Sequence, residues 1–252
     1  MLKISIVTAV RNGAAAIIPT LESIREQSYS AIEHVIIDGA STDSTAEIVR
    51  SRGSRDLRFL SERDSGVYDA FNKGLRLATG DVIGFLNAGD TYWSTQSVHR
   101  IAEAFQDDAI QVAYGDVMIV DGIDTAKPVR RYRSSRFTPD RIAYGWMPAH
   151  PTLFMRRAVY DRFGLYDPTY RIAGDFEMVA RVFARGGIRS RCIDEILVRM
   201  PRGGLSTSGP RASYIITREM HRGCTQNGIS TNYLKLVWRF ASKLIDYLRP
   251  GN

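Results

Sequence analysis

Short apolar runs alternate with amphipathic stretches over the first 90 residues. Lys3 to Val10 is a β-branched run and predicts the first strand. Arg11-Asn12-Gly13 breaks it, and Ala14 to Gln27 follows as a helix. Pro19 falls within that window, so the regular helix is expected to start near it, with proline in the first turn. His34 to Asp38 and Leu57 to Leu60 predict the second and third strands. Between them, Gly39 to Asp43 turns into a helix with Ser41, Thr42 or Asp43 as its cap. Phe71, Leu75 and Ala78 share one helical face, and Gly80 stands where that helix stops. Val82 to Leu86 is an unbroken apolar run, which suits a buried parallel strand. Strand and helix alternate up to this point, the pattern of a parallel sheet.

The pattern loosens after Asp90. Thr95 to Phe105 reads as a helix, and Ala109 to Val120 as one or two strands with a break at Tyr114-Gly115-Asp116. Prolines at 148 and 151 flank His150 and predict an extended segment there, followed by a strand over Thr152 to Met155. Phe176, Val179, Val182 and Phe183 define a helical face with Asp175 at its N-terminus. Ile188 to Arg199 holds the last core strand. Pro201 to Gly209 is small and flexible, suited to a closing loop or a linker. Arg211 to Cys224 and Tyr233 to Leu248 read as terminal helices. The second carries an apolar stripe beside a basic row of Lys235, Arg239 and Lys243, which fits docking on its own domain or on an anionic membrane.

Composition narrows the class. The 252 residues, 44% hydrophobic and 24% charged, are ordinary for a globular protein. No segment approaches the ~20 apolar residues of a membrane span. The first strand begins at once, so no signal peptide is expected. Cys192 and Cys224 have no metal-site spacing and read as reduced thiols of a cytoplasmic protein. A net charge of +7 favours anionic partners. The basic stretch from Lys127 to Arg136 lacks the interleaved aromatics of a nucleic-acid platform and reads as a solvated edge strand or a phosphate or membrane contact.

Candidate chemistry collects at strand ends, where open α/β sheets bind ligands. Asn87 and Asp90 end the fourth strand, and their oxygens suit Mg²⁺ or Mn²⁺ carrying a diphosphate, with Lys73 close by in sequence to position it. Asp38 ends the second strand. A dinucleotide-binding turn needs Gly-x-Gly-x-x-Gly after the first strand, and only Gly13 is present. Asp175 at a helix N-terminus is either a cap or an ionised acid able to take a proton from a hydroxyl.

Asp64-Ser65-Gly66-Val67-Tyr68-Asp69-Ala70-Phe71-Asn72-Lys73-Gly74 resembles the helix that precedes the metal motif in family-2 inverting nucleotide-sugar glycosyltransferases of the GT-A fold. Asp38-Gly39-Ala40-Ser41-Thr42-Asp43 resembles the same family's Asp-Gly-x-Ser-Thr-Asp, and Gly174-Asp175 with Arg181 its catalytic-base pattern. The metal motif departs: Asn87 and Gly89 stand where carboxylates are common, leaving Asp90.

The resemblance implies a GT-A-like α/β domain over 1–209, with a nucleotide half (1–90) and an acceptor half (91–209), and a helical extension over 210–252. It implies that Thr8, Val10, Asn12, Asp38 and Ser41 line a nucleotide pocket, Asp38 holding the base, typically uracil. Asp64, Asp69 and Lys73 then lie beside the donor, and His150 beside the donor or acceptor sugar. Asp175 is the base, with Glu177 in reserve. The implied acceptor is a saccharide or lipid-linked saccharide of bacterial polysaccharide assembly, at the inner face of the plasma membrane. Two rivals are a non-catalytic nucleotide-sugar-binding scaffold and a nucleotidyltransferase. For the latter the chain lacks a Gly-rich basic grip near the first strand.

Overall fold

In the computed structural model the described residues are 1–53, 56–122, 127–184, 186–203 and 209–238. The first half alternates as expected: β1 (Ile4–Val10), α1 (Ala14–Arg25), β2 (Ile32–Asp38), α2 (Thr45–Arg52), β3 (Leu57–Ser61), α3 (Val67–Leu77) and β4 (Val82–Phe85). β3, β2, β1 and β4 lie side by side, all parallel, so their carboxyl ends share one edge. α1 begins at Ala14 and carries Pro19 inside it, a correction to the expected start. Its turn around Ala16 is held from outside, where the Ala16 carbonyl accepts the Gly89 N–H at 3.0 Å.

The second half comprises β5 (Thr91–Tyr92), α4 (Ser97–Ala104), β6 (Val112–Asp121), β7 (Lys127–Tyr132), β8 (Phe154–Arg156), α5 (Arg157–Phe163), α6 (Gly174–Ala184), β9 (Ser190–Pro201) and α7 (Pro210–Gln226). The nine-stranded sheet continues from β4 through β8, β6 and β9 to β5, with β7 paired to β6. β8 runs antiparallel to both β4 and β6, while β6 and β9 are parallel. The expected break at 114–116 is instead a register shift against β9 inside one continuous strand. The segment at His150 is a single 3₁₀ turn (His150–Thr152), not extended. The Thr152 N–H and hydroxyl both return to the Ala149 carbonyl, and Pro151 presets the turn's φ.

Successive strand residues face opposite sides. Val7, Val35, Ile37, Ile83 and Phe85 pack with Phe71, Phe176 and Val179 on one side. Ile4, Ile6, Val82 and Leu86 pack with Val98 and Ile101 of α4 on the other. Gly84 is required where β4 meets β8, since a Cβ there would lie 2.2 Å from the Phe154 ring. Ile216, Met220 and Cys224 of α7, with Leu236, join the same core as α3 and α6. The stretch 233–238 is helical; the rest of the expected last helix, and residues 204–208 of the expected closing loop, lie outside the described residues.

Candidate active site

The turns after β1 and β2 are built as one unit. Asn12 and Ala40 both adopt left-handed backbone (φ 49° and 54°), and such strain gathers at ligand sites. The Asn12 side-chain oxygen accepts the Thr42 N–H at 2.8 Å, and the Asn12 N–H donates to the Ser41 hydroxyl at 2.7 Å. Asp43 accepts the Ala14 N–H at 3.1 Å, and Thr45 the Gly13 N–H at 3.0 Å. Asp38, fully buried beside Val10 in register, accepts the Ser61 hydroxyl at 2.6 Å and both the N–H and hydroxyl of Ser41. Thr8 is buried, with its hydroxyl bonded to the Leu86 carbonyl at 2.7 Å and the His34 ring at 2.9 Å. These bonds tie β1 to the residue that follows β4 and to β2.

The next loop is fixed by α3. Asp69 accepts the Ser65 N–H at 3.0 Å, and Asp64 the Gly66 N–H at 3.2 Å. Lys73 donates to the Arg63 carbonyl at 2.6 Å and pairs with Glu62 at 3.0 Å and Asp69 at 3.6 Å. Burial opposes its charge, but these carboxylates outweigh it and raise its pKa. Asp64 packs so close to the β2 turn that a Cβ on Gly39 would meet its carboxylate.

At the end of β4, the Asn87 side-chain oxygen is buried with no hydrogen-bond partner. Asp90, 8% exposed, is pushed up to about 7 by burial, against a backbone bond from Asn87. An orphaned amide oxygen beside a carboxylate costly to ionise is a donor set that fits a hard divalent cation completed by ligand oxygens. Among the described residues no cluster of three or more His, Cys, Asp or Glu side chains forms a metal cage.

Asp175 is the second residue of α6 rather than its cap, and its carboxylate accepts the Phe176 N–H at 2.8 Å. Burial raises its pKa, against opposing effects of His150 and the local N–H groups. Desolvation thus outweighs the helix-terminus effect expected to keep it acidic. The Tyr68 hydroxyl lies 3.5 Å from Asp175 and donates to the Ile172 carbonyl at 2.5 Å. Gly174 is required here, because a Cβ would sit 2.8 Å from the Tyr68 ring. His150 stacks on Phe71 and on Phe85, each with centroids 5.4 Å apart, and bonds the Tyr166 hydroxyl at 3.2 Å. Burial lowers its pKa, so the imidazole is neutral near pH 7. Glu177 stands apart from this group. Its two oxygens hold Arg181 at 3.0 and 2.8 Å, and Asn227 donates to it at 3.2 Å.

α3 therefore joins the two halves. Asn72 is buried and closes a pair of bonds with the Tyr166 backbone, at 2.8 and 2.9 Å, four residues after Tyr68 grips Ile172. Tyr166 and Glu219 were not among the sequence candidates. Glu219 accepts the N–H groups of Arg171, Ile172 and Ala173, a tertiary contact with no local sequence signal.

A family model described as Glycosyl transferase family 2 matches residues 5–164. The "PGL/p-HBAD biosynthesis glycosyltransferase" of Mycobacterium bovis (strain BCG / Pasteur 1173P2) is 30% identical over 210 residues, covering 81% of this chain and 79% of the relative. Among solved structures, S. aureus TarS 1-349 superposes with a TM-score of 0.69 at 21% identity, over 88% of this chain and 65% of that one, so this chain spans just under two thirds of its length. The mannosyltransferase PcManGT from Pyrobaculum calidifontis, in complex with GDP-Man and Mn²⁺, superposes with a TM-score of 0.63 at 17% identity, over 97% and 81% of the two chains. At these identities the structures establish the fold, the GT-A architecture.

Proposed function

The chain belongs to glycosyl transferase family 2, and on that premise we propose that it moves a hexosyl group from a UDP-sugar to a hydroxyl of a saccharide or lipid-linked saccharide, with inversion. The observation that carries this reading is the presence of two carboxylates in different surroundings, one ending a parallel strand and one beside Tyr68 of α3. Asp38 ends β2 among donors. Asp175 stands beside the N-terminus of α3 with its proton affinity raised by burial. A raised pKa makes a carboxylate a better proton acceptor near neutral pH.

In the proposed reaction, Asp38 accepts the N–H of the base, within the turn framework of Val10, Asn12 and Ser41. Asp64, Asp69 and Lys73 shape the wall beside the donor. Asn87 and Asp90 would hold a divalent cation with the diphosphate, and it would supply Lewis-acid neutralisation of the leaving group. Asp175 takes the proton of the acceptor hydroxyl as that oxygen bonds to the anomeric carbon. The carbon–oxygen bond to the diphosphate breaks, and UDP leaves with the electron pair. Attack opposite the leaving group inverts the centre, and no covalent enzyme intermediate forms. His150, neutral and stacked against the contacting rings of Phe71 and Phe85, borders the sugar as a hydrogen-bonding wall. Glu177, held by Arg181 and Asn227, takes no part.

The stretch 233–238 supports a lipid-linked acceptor. Tyr233, Leu234, Val237 and Trp238 are exposed while Leu236 is buried, and the chain carries +7 net charge. Such a row fits an anionic membrane interface. Co-sedimentation with phosphatidylglycerol vesicles but not phosphatidylcholine vesicles is expected, and loss of binding in Leu234→Ser/Trp238→Ser. For the reaction, UDP-sugars should raise the melting temperature with Mn²⁺ more than without, and NMR of the product should show an anomeric configuration opposite to the donor's. A product that retains the donor's configuration contradicts the single displacement.

A further inference from the structure

α7 presents Glu219, Arg222 and Gln226, spaced three and four residues apart, so they fall along one helical face, and Asn227 is its C-cap. All of them reach the segment between 166 and 177. The Glu219 carboxylate accepts the N–H groups of Arg171 at 2.8 Å, Ile172 at 3.0 Å and Ala173 at 2.8 Å. Arg222 donates to Asp167 at 3.2 Å and Thr169 at 2.8 Å, with its guanidinium 4.4 Å from the Tyr170 ring centroid. The Tyr170 hydroxyl donates to Gln226 at 2.7 Å, and Asn227 to Glu177 at 3.2 Å. α7 lies wholly beyond the residues that the family model matches.

We propose that Glu219 is a positioning residue for the transfer reaction, fixing the 171–173 backbone and through it the place of Asp175. The peptide groups just before α6 are gripped from both sides. Glu219 takes the Ile172 N–H, and the Tyr68 hydroxyl donates to the Ile172 carbonyl. Gly174 then packs against the Tyr68 ring, and Asp175 follows. Three N–H groups converging on one carboxylate make charge-assisted bonds, roughly twice the strength of neutral ones. Without that charge the three donors must find other partners, and the short path to Asp175 gives no slack to absorb the shift. A displacement of about 1 Å at a reacting group costs up to ~10²-fold in rate.

The inference rests on Asp175 as the base, and a double-mutant cycle in the full chain separates the two. Glu219→Gln keeps the size and removes the charge. It should lower kcat by roughly 10–100-fold while the donor KM moves by less than about twofold. Placed on Asp175→Asn, the same change should cost less than about twofold, because no base remains to be positioned. Where glutamine prevents folding, Glu219→Asp keeps the charge, shortens the reach by one methylene, and should show the same split with smaller amplitude. A lowered melting temperature with unchanged kcat, or an equal loss of kcat in both backgrounds, overturns the proposal. If Asp175→Asn alone transfers at the wild-type rate, the base reading falls and the positioning of it falls too. If Asp175→Asn loses transfer while both Glu219 variants keep kcat, only the positioning inference falls.

Discussion

Asp38 ends β2 and Asp175 lies in the first turn of α6, and the two carboxylates have different surroundings. Asp38 collects hydroxyl and N–H donors from Ser41 and Ser61. Asp175 has one N–H at 2.8 Å and a predominantly apolar, aromatic neighbourhood, which favours its protonated form. Replacing Asp38 with alanine should weaken UDP-sugar binding by ~1.5–3 kcal/mol, the worth of a charged hydrogen bond. Titration calorimetry reads this directly, and unchanged affinity would remove Asp38 from the nucleotide pocket. Asn87 makes a second residue-scale test. Asn87→Leu removes the orphaned amide oxygen and should leave the melting temperature of the free protein unchanged or higher. The same variant should lose the Mn²⁺-dependent part of the donor's thermal shift.

α3 carries most of what was legible from the chain, and it does more than the sequence disclosed. Its apolar face and the residues of its motif were readable, because helical periodicity and local pattern are local properties, whereas the helix ends at Leu77, with Ala78 already extended, rather than at Gly80. Its role as the joint between halves was not. Tyr68 reaches Ile172 and Asn72 reaches Tyr166, across about a hundred residues of chain. No sequence period encodes a contact between such distant segments. Glu219 was missed for the same reason. The 3₁₀ turn at His150 and the continuous β6 were misread because proline and glycine signals describe local preference. Tertiary partners decide the outcome: Gly115 for the Thr152 hydroxyl, β9 for the β6 register. Asn72→Ala leaves the buried Tyr166 N–H and carbonyl without their partners, so a loss of roughly 2–4 kcal/mol in stability is expected by denaturant unfolding. Transfer by the folded fraction should fall with it, because the same loop leads to Asp175.

At the scale of the molecule, the parallel strands have a carboxyl edge, where the proposed site lies, and an amino edge. The latter is organised by Glu33, 2% exposed, which accepts from Ser5 at 2.5 Å and from Thr79 at 2.7 and 2.6 Å, and pairs with Lys3 at 3.2 Å and Arg58 at 2.9 Å. Burial alone would raise its pKa, but the bonds from Ser5, Thr79 and Lys3 outweigh it and hold the group at about 2, below its usual 4.5. A depressed carboxylate pKa stabilises the fold above the unfolded value and loses that contribution as pH falls through the folded one. The melting-temperature gap between the wild type and Glu33→Gln should therefore be full above pH 4.5 and close between pH 4.5 and about 2. At the carboxyl edge lie the turns after β1 and β2, Asn87 and Asp90, and the start of α3, whose Tyr68 hydroxyl is 3.5 Å from Asp175, and the proposed reaction stands or falls on that acid. The direct measurement is Asp175→Asn, read for melting temperature, donor affinity and transfer rate on the same preparation. The account predicts a near-native melting temperature, unchanged donor affinity and a transfer rate lower by ~10²–10⁴-fold, the usual worth of a positioned base. Transfer at the wild-type rate would contradict it.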